Sequence, residues 1–114
     1  MTTEAVADYD LAIKLDPKSV LAYNGRGEAK SKLNRFAEAI ADFTQAITLD
    51  PKLASAYHNR GFAYYKLGNT KLNYRKAIAD YNIAMQLGGS DFKPTFNYQE
   101  SAMAALDKPA TKGQ

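Results

Sequence analysis

Residues 39–51 read AIADFTQAITLDP, and the same pattern occurs twice more in the chain. Residues 5–17 read AVADYDLAIKLDP and residues 77–89 read AIADYNIAMQLGG, so successive copies are offset by 34 and 38 residues. A second unit, AYNGRGEAKSKL at 22–33, recurs 34 residues later as AYHNRGFAYYKL at 56–67. The chain therefore alternates two repeated units, and this repetition decides its fold.

Each unit has the pattern of a helix. In residues 39–49 the apolar side chains recur at the i, i+3, i+4, i+7 spacing of an amphipathic helix. Pro17 and Pro51 end their helices, because proline lacks an amide donor and disfavours a helical residue before it. The sequence predicts an all-α fold of antiparallel helices joined by short connections. Six helices are expected, over residues 4–15, 19–32, 35–48, 53–67, 71–87 and 92–106.

The composition is that of a folded, soluble protein with little of the usual equipment for catalysis. Of 114 residues, 46% are hydrophobic and 24% charged; there is no Cys and one His, and the formal net charge is +3. No apolar run approaches the roughly 20 residues that span a bilayer. The N-terminus has no basic start followed by an apolar core, so no signal peptide is predicted and a cytoplasmic location is expected.

The sequence contains no recognisable catalytic or metal-binding motif. Asp8 and Asp10 lie two residues apart, on different faces of a helix, and cannot share a proton or a metal ion. His58 has no partner in an HExxH or related motif. Gly25 and Gly27 fall within a predicted helix with no strand before them, unlike a phosphate-binding loop. The sequence predicts no enzymatic activity, no cofactor and no metal site.

The two units together resemble the tetratricopeptide repeat (TPR). Its pattern is a helix with an aromatic, Gly and Tyr, followed by a helix with Ala, an aromatic, Ala and a closing Pro. The matching residues are Tyr23, Gly27, Ala39, Phe43, Ala46 and Pro51 in one copy, and Tyr57, Gly61, Tyr64, Ala77, Tyr81 and Ala84 in the next. The resemblance implies a right-handed solenoid of helix-turn-helix units that serves as a protein-binding scaffold or adaptor. The chain departs from the pattern at Arg26 and Arg60, which replace the usual Leu.

The repeat boundaries divide the chain into five segments. They are 1–17, the second helix of an incomplete repeat; 18–53 and 54–91, two complete repeats; 92–107, a closing helix; and 108–114, a flexible tail. Four extra residues, 70–73, either start a helix one turn early, with Thr70 as its cap, or lengthen a loop. Helix 4–15 lacks the helix that precedes it in a full repeat, so either the chain is part of a longer array or another chain covers that face.

The charges divide between the two kinds of helix. In a helical solenoid the first helix of each pair lines the concave face and the second lies outside. Residues 18–34 and 52–69, which contain first helices, each have a net charge of +3, whereas the outer segments 4–17 and 35–51 have −3 and −2. This asymmetry predicts a basic groove that attracts an acidic peptide or a C-terminal carboxylate. Alternatively, these Lys side chains only solvate their helices.

Helical projection places a set of candidate binding side chains on the concave face. They are Asn24, Glu28, Lys32, His58, Asn59, Phe62, Tyr65, Lys66, Lys93 and Asn97. The resemblance implies that Asn59 holds the backbone of a bound peptide, since an amide both donates and accepts hydrogen bonds. Phe62 and Tyr65 either give that peptide apolar contact or pack in a helix seam.

Some of these residues match the clamp with which certain family members grip the acidic C-termini of chaperones. Asn59 and Lys93 have residue types that the clamp uses. Asn24 and Asn97 stand where a Lys or an Arg is typical, and Glu28 stands where an Asn is typical. Because Glu28 would repel a carboxylate, the sequence argues against a chaperone-type clamp.

The leading functional hypothesis is a non-enzymatic adaptor that holds a protein or peptide partner, of acidic character, in the groove. The alternative is self-assembly into a homo-oligomer, through the uncovered helix 4–15 or through the insertion 70–73. RNA binding is less favoured, because a net charge of +3 is small for that purpose.

Overall fold

A computed structural model describes residues 2–89, 92 and 96–108, and it is helical almost throughout. The helices are α1 (Thr2–Leu15), α2 (Val20–Lys32), α3 (Phe36–Leu49), α4 (Ala54–Leu67), α5 (Lys71–Gly88) and α6 (Tyr98–Asp107). The described ranges contain no strand. The predicted all-α fold with six helices is therefore confirmed.

The helices stack in chain order. Each one packs mainly against the next along the chain, while α2 touches α4, and α4 touches α6, at only a few positions. The stack is elongated, with extents of 50 × 35 × 22 Å. This nearest-neighbour packing is that of a helical solenoid.

The insertion at residues 70–73 lengthens a helix. The Thr70 hydroxyl accepts a hydrogen bond from the Asn73 amide at 3.2 Å, which caps the start of α5. The Asn73 side chain donates to the Gly68 carbonyl oxygen at 2.7 Å and ties the new turn to the end of α4. As a result α5 has 18 residues where α3 has 14. Four added residues turn a helix by about 400°, so the face that packs on α4 is nearly preserved.

The last helix starts later than the sequence predicts. A helix over 92–106 was expected, but α6 begins at Tyr98, and Phe92, Phe96 and Asn97 are not helical. The Asn97 side chain accepts a hydrogen bond from the Gln99 amide at 3.1 Å, and this cap fixes the start of the helix. The expected flexible tail, 108–114, lies outside the described residues except for Lys108.

An Ala-aromatic-Ala stripe on each outer helix forms the core. Ala39, Phe43 and Ala46 of α3 are fully buried. The equivalent residues of α5 are equally buried, with Tyr81 only 7% exposed. The small alanines let the neighbouring helix approach the ring between them closely. Gly27 of α2 is part of this contact, since a Cβ atom there would lie 2.6 Å from the Phe43 ring.

A buried ion pair joins each first helix to the second helix of its pair. Arg26 donates to both carboxylate oxygens of Asp42 at 2.9 and 2.7 Å. Arg60 makes the same bidentate contact with Asp80, at 2.9 Å for both bonds. Both aspartates are only 4% exposed. These hydrogen bonds raise the pKa of Arg26 and of Arg60 above the ordinary value for arginine.

Replacing Asp42 with Asn should destabilise the chain, because it removes the charge that Arg26 approaches with two hydrogen bonds. The expected loss in the free energy of unfolding is roughly 2–3 kcal/mol, measured by urea denaturation followed by circular dichroism. Asp107→Asn, which alters an exposed carboxylate at the end of α6, is the control, with an expected change below about 0.5 kcal/mol. Equal stability of the two variants would contradict the role of the pair.

Candidate functional site

The first helices of consecutive pairs, α2 and α4, line an open cavity of about 330 Å³. Its lining residues are Glu28, Ser31, Lys32, Phe43, His58, Asn59, Phe62 and Phe96. The i, i+3, i+4 spacing of helix residues brings Glu28, Ser31 and Lys32 to one face of α2. The fully buried Phe43 ring, on α3 behind the two helices, closes the cavity.

A network of polar side chains spans the groove next to the cavity. The Asn59 amide nitrogen donates to the Glu28 carboxylate at 3.1 Å and lies 3.4 Å from the Asn24 amide oxygen. The Asn24 amide nitrogen in turn lies 3.4 Å from the Ser55 hydroxyl. The Ser31 hydroxyl is buried and makes no hydrogen bond within the part of the chain that the structure describes. The groove therefore presents amides and one carboxylate to a ligand.

Aromatic rings form the other wall of the cavity. The Phe62 and Phe96 rings meet edge to face, with their centroids 6.2 Å apart. Tyr98, which is fully buried, holds this wall in place by donating a hydrogen bond to the His58 carbonyl oxygen at 2.8 Å. Burial raises the pKa of Tyr98 above its ordinary value, so the hydroxyl keeps its proton and remains a donor.

Half of the candidate side chains predicted from the sequence meet at the cavity. They are Glu28, Lys32, His58, Asn59 and Phe62. His58 is only 8% exposed and packs against the rings of Tyr81, Phe92 and Tyr98, so its ring contributes mainly apolar packing to the cavity wall.

The other candidates lie elsewhere. Asn24 lines the next opening, between α1 and α2. Tyr65 packs against Tyr74, Phe96 and Tyr98 instead of lining the cavity. Lys66 is exposed on α4 beyond the cavity, and Asn97 is the cap of α6. Lys93 lies outside the described residues.

The sequence predicted that the cations of α2 and α4 make the groove basic. Three of these cations do not face the groove. Arg26 and Arg60 point towards the outer helices and bind buried aspartates. Lys30 also lies on that side, with its ammonium 3.2 Å from Asp42. A charge count over a whole helix cannot tell its two faces apart. At the cavity the charged residues are Lys32 and Glu28, one helical turn apart.

Sequence reasoning also missed Phe43 as a site residue. Its place in the Ala-aromatic-Ala stripe predicts a core residue, and its ring is fully buried. It nevertheless lies among the residues that line the cavity between α2 and α4. The repeat pattern alone does not distinguish it from the other buried rings of the stripe.

The described residues contain no group of three or more His, Cys, Asp or Glu side chains placed to hold a metal ion. None of their helices is long and apolar enough to cross a membrane.

Comparison with known proteins identifies the class to which this helical stack belongs. The profile of the TPR repeat matches residues 31–68. The TPR domain of Arabidopsis OM64 has 31% sequence identity and a TM-score of 0.73, over 92% of this chain and 79% of that one. Comparison with curated protein sequences finds no significant match. The chain belongs to the tetratricopeptide repeat family.

Two solved structures similar to this chain contain bound peptides. The first TPR of Spaghetti (RPAP3), bound to the HSP90 peptide SRMEEVD, has 27% identity and a TM-score of 0.84, over 94% of this chain and 81% of that one. The second TPR domain of human RPAP3, in complex with the HSP70 peptide SGPTIEEVD, has 26% identity and a TM-score of 0.73, over 95% of this chain and 82% of that one.

Replacing Tyr98 with Phe should weaken the attachment of α6 to α4, since the change removes a buried hydrogen bond and keeps the ring. A loss of about 1 kcal/mol in the free energy of unfolding is expected, measured by urea denaturation. Tyr23→Phe removes a hydroxyl that makes no hydrogen bond within the described residues, and it should cost less. If Tyr23→Phe is the more damaging change, the assigned role of the Tyr98 hydroxyl is wrong.

Proposed function

We propose that the chain is a non-enzymatic peptide-binding module whose ligand lies in the groove between α2 and α4. The observation that carries this proposal is the cavity itself, which places an apolar wall next to a row of amides. The similarity of this chain to TPR domains with bound peptides supports peptide binding in the groove. Such a module serves as a scaffold or adaptor between proteins.

The groove offers two kinds of contact to an extended peptide. Asn59 has a carbonyl oxygen that accepts, and an amide nitrogen that donates, so it can bind a peptide bond from both sides. A peptide carbonyl oxygen that displaces the Glu28 carboxylate would accept a hydrogen bond from this nitrogen directly. Phe62 and Phe96 would surround one apolar side chain of the ligand, and burial of that side chain would supply most of the affinity.

The acidic character of the ligand depends on two groups. Lys32 lies at the cavity with no ion pair among the described residues, so it would bind an acidic side chain or a terminal carboxylate. Lys66, exposed further along α4, would add to this attraction. Glu28 opposes it from one turn away. We therefore propose a ligand with apolar and acidic residues, bound less tightly than a fully basic groove would bind it.

Removing the two polar contacts together should weaken peptide binding. Asn59→Ala with Lys32→Ala is expected to weaken the binding of SRMEEVD by at least about tenfold, measured by isothermal titration calorimetry at low salt. Gln45→Ala with Lys71→Ala, on the outer helices, is the matched control and should bind as the parent chain does. Unchanged affinity in the groove variant would refute the assigned site.

Replacing Glu28 with Asn should strengthen binding of the same acidic peptide. Two like charges about 4 Å apart in water repel by roughly 1 kcal/mol, which corresponds to about fivefold in affinity. The gain should shrink as salt is raised from about 0.05 to 0.5 M, because exposed charges are screened. Glu38→Gln, on the outer helix α3, is the control. A loss of affinity in Glu28→Asn would show that Glu28 helps to bind the peptide.

A further inference from the structure

The corner between α4 and α5 carries a group of cations that the fold does not pair. Lys71, Arg75 and Lys76 lie in the first two turns of α5, and all three are exposed. No acidic residue occurs between Asp50 and Asp80 in the sequence, and Asp80 is buried. None of the three cations forms an ion pair with a described residue. The corner therefore has a concentrated positive charge that the described residues leave uncompensated.

The stability of α5 does not explain these cations. The N-terminus of a helix has a partial positive charge, so an acid in the first turn is favourable and a cation is unfavourable. Helices α1, α3 and α6 have Glu4, Glu38 and Glu100 in their first turns. Among the described helices only α5 begins with a cation, Lys71. The positive charge at this corner therefore points to a partner outside the fold.

Two exposed leucines lie beside the cations. Leu72 is 57% exposed, and Leu67, the last residue of α4, is 36% exposed. The Lys76 ammonium lies 5.3 Å from the centroid of the Tyr64 ring, which brings this face of α5 against α4. Leu72 lies one turn before Lys76 and Leu67 one turn after Tyr64, so both leucines extend this face to the tip of the corner. We call this set the corner surface: Leu67, Lys71, Leu72, Arg75 and Lys76.

The insertion at residues 70–73 supplies part of the corner surface. It adds Lys71 and Leu72 to α5, and none of its four residues is buried. The Thr70 cap and the bond from Asn73 to the Gly68 carbonyl oxygen hold the added turn in place. The added turn therefore presents a cation and an apolar side chain to solvent in fixed positions.

The turns at the opposite end of the stack are electrically balanced. Because neighbouring helices run antiparallel, residues 16–19 and 50–53 lie at the end away from this corner. The first turn contains Asp16 and Lys18, and the second contains Asp50 and Lys52. In both, the Asp side chain accepts a hydrogen bond from the Lys backbone amide at 3.1 Å. These two exposed lysines provide a matched control for the cations of the corner surface.

We propose that the corner surface binds an anionic phospholipid membrane. Its cations bind the phosphate and carboxylate groups of the lipid headgroups, and Leu67 and Leu72 enter the boundary with the acyl chains. Cations beside exposed apolar side chains are the combination that suits this interface. The corner surface shares no residue with the cavity between α2 and α4, so the chain would hold a peptide while bound to a membrane.

The same side chains favour lipid over nucleic acid as the partner. Exposed leucines give a phosphate backbone nothing to bind, whereas they gain by leaving water at a membrane. Single-stranded nucleic acids stack their bases on accessible aromatic rings. At this corner the ring of Tyr64 is covered by Lys76, and that of Tyr74 packs against Tyr65.

Cosedimentation of the whole chain with vesicles tests the proposal. Phosphatidylcholine vesicles containing about 30% phosphatidylserine should bind the chain, and vesicles of phosphatidylcholine alone should not. Lys71→Gln with Arg75→Gln should weaken binding by at least about tenfold, because each cation near an anionic surface adds to the attraction. Lys18→Gln with Lys52→Gln changes the net charge equally and should weaken binding by less than about twofold. Leu72→Gln should weaken it by roughly fivefold.

Several outcomes would overturn the proposal. One is the absence of binding to the anionic vesicles, and another is an equal loss in the two double variants, since binding would then depend on net charge alone. A third is binding of a single strand of about 20 nucleotides that Lys71→Gln with Arg75→Gln abolishes, while Leu72→Gln leaves vesicle binding unchanged. Vesicle binding should persist in Asn59→Ala with Lys32→Ala, whether or not the groove binds SRMEEVD, and its loss there would contradict a separate surface.

Discussion

The bidentate pair between an arginine of a first helix and an aspartate of the outer helix sets the geometry of the whole stack. Arg26 binds Asp42 of the following helix and also Asp10 of the preceding one. Arg60 likewise binds Asp80 and reaches the Thr44 hydroxyl at 3.3 Å. Each arginine therefore connects the outer helices on both sides of its own helix. A planar guanidinium has a fixed fork of donors, so these contacts specify orientation as well as distance.

This use of arginine also determines the chemistry of the groove. Arg26 and Arg60 bind buried aspartates of the outer helices, and Lys30 lies on the same side, beside Asp42. These three cations therefore do not face the groove. The cavity between α2 and α4 is left with Asn59, Glu28 and Lys32 beside an aromatic wall. The charges of Glu28 and Lys32 balance there, although the two helices are basic. Recognition of a peptide would therefore depend on amide hydrogen bonds and one apolar side chain more than on net charge.

Much of this fold could be predicted from the sequence, because helices and their order depend on local patterns. The period of the repeat and the proline stops predicted the starts of α2, α3 and α4 to within a residue, whereas the sequence left two alternatives open for residues 70–73 at the start of α5. The predicted start of α6 was wrong, because the real start depends on the Asn97 cap and on the burial of Tyr98 against α4. The prediction of a basic groove was wrong for a similar reason, because it depends on contacts between helices. Ion pairs between helices are tertiary contacts, although aspartates that repeat in step with arginines were a signal for them.

Nuclear magnetic resonance can show whether and where a peptide binds between α2 and α4. The ¹⁵N-labelled chain is titrated with SRMEEVD, and the amide shift changes are assigned along the sequence. If the peptide binds in the groove, the largest changes are expected at Glu28, Asn59 and Phe62, with little change at Gln45 on the outer helix α3. Changes concentrated on α3 and α5, or none up to millimolar peptide, would contradict it.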